Sequence, residues 1–123
     1  MPPRRREVRW SSSAADDLTA IVEFIAQDRP STALEILSRI QERTESLSSA
    51  PEKGRRVPEL ERLGVREYRE LVISVWRIVY KIGPKAVEVL LVVDKQYRLS
   101  HSHSPIGNVT SKHVENPGGG LTS

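Results

Sequence analysis

Cysteine is missing from this 123-residue sequence, which excludes disulfides and thiolate metal sites. Aromatic residues are scarce, with two Trp, three Tyr and one Phe. Together with the lack of a recognition-helix pattern, this argues against sequence-specific reading of DNA. No run approaches the roughly 20 apolar residues of a membrane span. The start, Met1-Pro2-Pro3-Arg4-Arg5-Arg6, is basic but has no apolar core of a secretory signal. Gly-rich phosphate loops, nucleophile–base spacings and metal-ligand clusters are absent too. These absences point to a soluble cytoplasmic protein with one folded domain and no cofactor or metal.

What charge there is lies unevenly. The net charge is +3, yet residues 1–10 carry +3, residues 11–50 carry −4, residues 51–100 carry +4 and the last 23 balance at zero. An acidic segment is thus followed by a basic one. Such asymmetry suits a polyanion or an acidic peptide as partner of the basic side.

The basic segment holds the clearest strands. In Trp76-Arg77-Ile78-Val79-Tyr80-Lys81-Ile82, the residues Trp76, Ile78, Tyr80 and Ile82 fall on one side and Arg77 and Lys81 on the other. Period two predicts a strand with one buried and one open face. Ala86-Val87-Glu88-Val89-Leu90-Leu91-Val92-Val93 is almost continuously apolar, as expected of a central strand covered on both faces. Gly83-Pro84 between them predicts an antiparallel hairpin, and Tyr68-Arg69-Glu70-Leu71 begins a further strand.

Upstream, Glu7-Val8-Arg9-Trp10-Ser11 reads as a short first strand. Ser13 with Asp16 three residues on predicts a capped helix start. Leu18, Ile21, Val22 and Ile25 then make one apolar stripe, and the helix should stop near Gln27-Asp28. Asp28-Arg29-Pro30-Ser31 starts a second helix, with Ala33, Ile36, Leu37, Ile40, Thr44 and Leu47 on one face. So short a link demands an antiparallel hairpin, and neither helix is stable unless its stripe lies on the sheet. Residues 51–66 read as a charged loop with one helical turn around Pro58 to Leu63. Residues 101–123 are rich in Ser, Gly, Pro and Asn and read as a disordered tail after a domain spanning 1–100. His101-x-His103 within it is a weak metal pair, and the sequon Asn108-Val109-Thr110 has no meaning in a cytoplasmic protein.

The predicted fold is therefore α+β, with an antiparallel two-helix hairpin packed on a mainly antiparallel four-stranded sheet. Several stretches carry a resemblance. They are Ala15-Asp16-Asp17-Leu18-x-x-Ile21-x-x-Phe24-Ile25, Leu47-x-x-x-Pro51-x-x-Gly54-Arg55-x-Val57-Pro58-Glu59-Leu60, Tyr68-Arg69-Glu70-Leu71 and Trp76-Arg77-Ile78-Val79-Tyr80. From Val8 to Arg98 the chain resembles the RelE/ParE superfamily of type II toxins. The resemblance implies a small growth-inhibiting toxin, associated with plasmid stabilisation and held inactive by a cognate antitoxin.

The superfamily divides by target. RelE-like members cut mRNA on the ribosome without a metal, which requires a base, an acid and cations for the charge that builds on the phosphate. The resemblance would then place Arg77 as phosphate clamp on the open sheet face, helped by Arg69, Lys95, Arg98 and Tyr97. Arg77 suits the role by its planar fork. That pattern expects an arginine right after Lys95, where this chain has Gln96. ParE-like members bind and inhibit DNA gyrase and carry no catalytic set. The Pro51 to Glu59 loop and the long hairpin fit this branch better. On either branch Arg55, Arg56, Arg69, Arg77, Lys81 and Arg98 are the expected contacts to target or antitoxin.

Each residue also has a plainer reading. Arg77 could pair with Glu70 or Glu88 across the sheet, Trp76 and Tyr80 could belong to the core, and Arg55 and Arg56 could be solvated loop residues. A rival of another class is a non-toxic basic module using Arg69, Arg77, Lys81 and Lys95 as phosphate contacts.

Overall fold

Stripe and alternation both become packing surfaces in the computed structural model, which describes residues 5–100. The order is β1 (Glu7–Trp10), α1 (Ser12–Ala26), α2 (Pro30–Glu45), β2 (Arg55–Arg56), α3 (Pro58–Glu61), β3 (Tyr68–Ile73), β4 (Trp76–Ile82) and β5 (Ala86–Asp94). The strands form one sheet in the order β1-β5-β4-β3-β2. β1 runs parallel to β5, and the other neighbours are antiparallel. The α+β arrangement of a helical hairpin on a mainly antiparallel sheet is as expected. It has five strands rather than four, because Arg55–Arg56 pairs with Arg69 and Glu70 instead of looping freely.

Serine does cap the first helix, but the cap is Ser11 and not Ser13. Its Oγ accepts the Ala14 N–H at 3.0 Å and donates to the Leu90 carbonyl at 3.2 Å. One side chain thereby closes the helix start and fastens it to β5. That carbonyl is reachable because β5 bulges. Val79 pairs with Leu91 and Tyr80 with Val89, which leaves Leu90 as the extra residue. Pro30 opens α2 in the first turn, where its missing N–H costs nothing. The α2 stripe continues through a 3₁₀ turn at Ser46–Ser48, which delivers Leu47 fully buried to the core. In the last turn of α2 the buried Thr44 hydroxyl donates to the Ile40 carbonyl at 2.8 Å.

The helices cover one face of the sheet. Leu18, Ile21, Ile36, Ile40 and Leu47 meet Leu71, Ile73, Ile78, Tyr80, Val87 and Val89 there, with Trp76 and Ile82 packed at the margin. Fully burying each large aliphatic side chain contributes about 1.5–3 kcal/mol. The opposite face carries a second, smaller core of Val57, Leu60, Tyr68, Val79, Leu91, Val93 and Leu99. α3 and the segment following β5 close it. β5 is thus covered on both faces, as its almost continuous apolar run predicts. The tail at 101–123, with His101, His103 and Asn108, lies outside the described residues.

Candidate functional site

Arg77 is not open to solvent. Its side chain is only 3% exposed. Register places it opposite Val72 on the face away from the hairpin, and there α3 and the chain after β5 cover it. Nη1 and Nη2 donate to the two Glu59 carboxylate oxygens at 2.7 and 2.8 Å, a bidentate pair. Nε donates to Glu70 Oε1 at 2.6 Å, and Nη1 also donates to the Tyr97 carbonyl at 2.6 Å. The expectation of an outward guanidinium is overturned. Alternation put Arg77 on the correct face, but α3 closes that face. Of the cross-sheet partners considered, Glu70 is correct. Glu88 instead stands opposite Lys81 and Arg9.

The network extends beyond the pair. Arg55 Nε donates to the other Glu70 oxygen, Oε2, at 2.8 Å, and the Leu99 N–H donates to Glu59 Oε2 at 3.0 Å. Burial by itself would raise the Glu59 carboxyl. Hydrogen bonds from Arg77, Leu99 and its own N–H, with the Arg77 charge, bring it down to about 2. Burial likewise works against a charged Arg77, but its hydrogen bonds to Glu59 and Glu70 outweigh that and raise its pKa. Two buried carboxylates and one buried guanidinium thus stabilise one another, and they pin the chain that leaves β5.

Arg69 lies on the other side. It stands opposite Tyr80, whose ring is in the hairpin-side core, and its Nη1 donates to the Gly54 carbonyl at 2.8 Å. Arg69 and Arg77 are therefore on opposite faces and cannot clamp one phosphate. Tyr97 packs at the margin of the second core. The Lys95 and Arg98 side chains are exposed, while the Lys95 N–H is bonded to the Val75 carbonyl at 2.7 Å. The five residues of the nuclease reading are not brought together. Among the contact residues, Arg55 is exposed, while Arg56 and Lys81 are half-buried. Arg56 also donates through Nη1 to the Arg66 carbonyl.

Three features escaped the sequence reading. Glu59 was seen only as part of a motif. Asp17 is fully buried, with Oδ2 accepting the Val92 N–H at 2.9 Å. Its signal was present, since position 17 falls on the same stripe as Ala14, Leu18 and Ile21. The third is a lock around Gly54. The Tyr80 hydroxyl donates to the Pro51 carbonyl at 2.7 Å and accepts the Gly54 N–H at 2.9 Å. A Cβ on Gly54 would come within 2.5 Å of the Glu70 carbonyl and 2.6 Å of that hydroxyl. Tyr80 is thus a core residue with a polar task.

No group of three or more His, Asp or Glu among the described residues could hold a metal, and no helix there is long and apolar enough to cross a membrane. The family model described as "ParE toxin of type II toxin-antitoxin system, parDE" matches residues 8–98. The chain belongs to this ParE toxin family. A solved structure titled "Chromosomal ParDE TA system from P. aeruginosa" superposes with a TM-score of 0.61 at 21% identity, covering 74% of this chain and 97% of that one. At that identity the likeness is one of fold. No curated protein sequence matches. In this ParE-family chain Arg77, within the stretch Trp76-Arg77-Ile78-Val79-Tyr80 that carries the resemblance, is thus a structural cross-link.

Proposed function

We propose that this ParE-family toxin acts by binding DNA gyrase and is held inactive by a cognate antitoxin protein. The burial of Arg77 in its ion pairs carries the choice of target. Cleavage of mRNA would need a free cation at that position, on the same open face as Arg69. With Arg77 enclosed and Arg69 on the other face, the molecule is better suited to binding than to phosphodiester chemistry. Membership of the ParE family supports the same branch. Arg55, Arg56, Lys81 and Arg98 are the proposed contacts, while Arg69 and Arg77 act from within the fold.

An apolar groove where β1 meets the hairpin, lined by Trp10, Leu18, Val22 and Leu37, supports an antitoxin with an amphipathic segment. The hairpin also exposes Phe24 and Leu34, each 64% accessible, which adds apolar surface to the same pair of helices. Expressing the chain with and without the protein encoded beside it tests both parts. Growth should stop only without the partner, and gyrase supercoiling should be inhibited while ribosome-dependent mRNA stays intact. Cleaved mRNA with unaffected supercoiling would reverse the assignment.

A further inference from the structure

The run Arg4-Arg5-Arg6 leads into β1, and the structure describes the last two of these arginines. The Arg6 N–H donates to the Ser48 carbonyl at 3.0 Å, and its Nε donates to the Gly83 carbonyl at 3.1 Å. The start of β1 is thereby fastened to the turn between β4 and β5. Lys85 in that turn is exposed, and so is Arg5. Farther along β1, Arg9 stands opposite Glu88, and Glu88 in turn stands opposite Lys81. Register partners share a face of a sheet. Val87 and Val89 point into the hairpin-side core, so Arg9, Glu88 and Lys81 form a row on the other side.

Five cations, Arg5, Arg6, Arg9, Lys81 and Lys85, thus gather at one corner of the sheet. The carboxylates among them are Glu88 and Glu7, the latter 3.2 Å from Arg9. Five against two leaves +3, which equals the net charge of the whole chain, so the remainder sums to zero. Arg66 and Glu67, just before β3, bring one charge of each sign. Neighbouring strands about 4.8 Å apart put Arg9 and Lys81 about 10 Å from each other. A single carboxylate or phosphate cannot reach both. A chain of regularly repeated anions can.

We propose that this corner binds the phosphate backbone of duplex DNA without reading its sequence. Phosphate contacts of this kind hold a protein on a duplex and carry no base information. An acidic peptide strand finds no ladder at the corner, because the Arg6 and Gly83 N–H groups already donate to the Ser48 and Ala86 carbonyls. An unpaired base finds nothing to stack on. Tyr68, opposite Lys81, is buried in the second core, and Trp10, next to Arg9, packs on the hairpin side. The exposed large apolar side chains, Phe24, Leu34, Leu63 and Val75, all lie elsewhere, so a membrane would meet charge alone here. Of the four cations in the basic-module alternative, only Lys81 belongs to the corner. That the duplex is DNA rests on the gyrase reading, since gyrase works on DNA duplexes; affinity for a duplex stands on charge and spacing.

The test titrates the full chain against a short fluorescent DNA duplex of mixed sequence and follows anisotropy at several salt concentrations. Neutralising three phosphates predicts that log K falls against log salt with a slope of about −3. The double change Arg5→Glu and Lys85→Glu, at exposed positions, should lower the affinity by at least about tenfold and flatten that slope, with the thermal melt unchanged. Arg5→Lys with Lys85→Arg, which keeps the charge, should bind as the natural chain does. Unchanged binding by the Glu variant would overturn the proposal, and so would no binding at low salt. Tighter binding of polyglutamate, single-stranded DNA, duplex RNA or phosphatidylglycerol vesicles would overturn it as well. Gyrase supercoiling in the presence of the same chains separates the two readings: inhibition without DNA binding sinks the corner alone, and DNA binding without inhibition sinks the gyrase reading alone.

Discussion

The two faces of the sheet are closed by different chemistry. On the hairpin side, aliphatic residues from two long helices meet aliphatic residues from four strands, and Asp17 and the Tyr80 hydroxyl reach backbone groups. On the other side the four-residue helix α3 and a short stretch after β5 provide far less apolar surface, and the gap is filled by Arg77 between Glu59 and Glu70. An apolar core tolerates gradual change of volume. An ionic core does not tolerate loss of a member, because the partner left behind is a bare buried charge. The ionic side is therefore the more brittle, although it holds fewer residues.

The sharpest way to break the contrast is to remove one ion. Arg77→Ala should cost about 3–5 kcal/mol in urea denaturation, since two carboxylates lose their shared cation. Replacing all three together, as Glu59→Leu, Glu70→Leu and Arg77→Met, should restore most of that stability. If the single change proved harmless, the second face would not depend on its ions. Next in size is Gly54→Ala, where a methyl meets the Glu70 carbonyl and the Tyr80 hydroxyl. A loss of about 1–3 kcal/mol is expected from thermal melts.

Acid sharpens the comparison without mutation. Glu59 has a folded-state pKa of about 2 against an ordinary 4.5, so its contribution is fully present above pH 4.5 and is lost as pH falls toward 2. A fall of about 2 kcal/mol over that window should be seen in the natural chain and be absent from the triple apolar variant. The smallest effect is expected at the surface. Lys81→Ala and Arg98→Ala should each change stability by about 0.5 kcal/mol or less. Reduced inhibition of supercoiling by these variants would mark them as contacts, and unchanged inhibition would remove them from the proposed surface.

Much of this was legible beforehand. The apolar stripes gave both helices and the face each buries, and period two separated Ile78 and Tyr80 from Arg77 along β4. The almost continuous apolar run from Ala86 to Val93 marked a strand covered on both faces. The two-residue β2 was not legible, because a strand that short has no period to read and exists only through pairing with Arg69 and Glu70. Ser11 and Ser13 both suit an N-cap, and the Leu90 carbonyl exposed by the bulge decides for Ser11.

The candidate site was read less well than the fold, and the reason is specific. Sequence pattern says which side of a strand a residue occupies, but not what another segment lays over it. The order of residues alone determined that two amphipathic helices must lie on a basic, mainly antiparallel sheet, since 3.6- and 2-residue periods are properties of the local chain. Only tertiary structure decided that Glu59, 18 residues from Arg77 along the chain, would face it at 2.7 Å. A charge on an uncovered strand face is a contact waiting for a partner. The same charge under α3 must find its partner inside the molecule, because burying it unpaired costs more than so small a domain can offset.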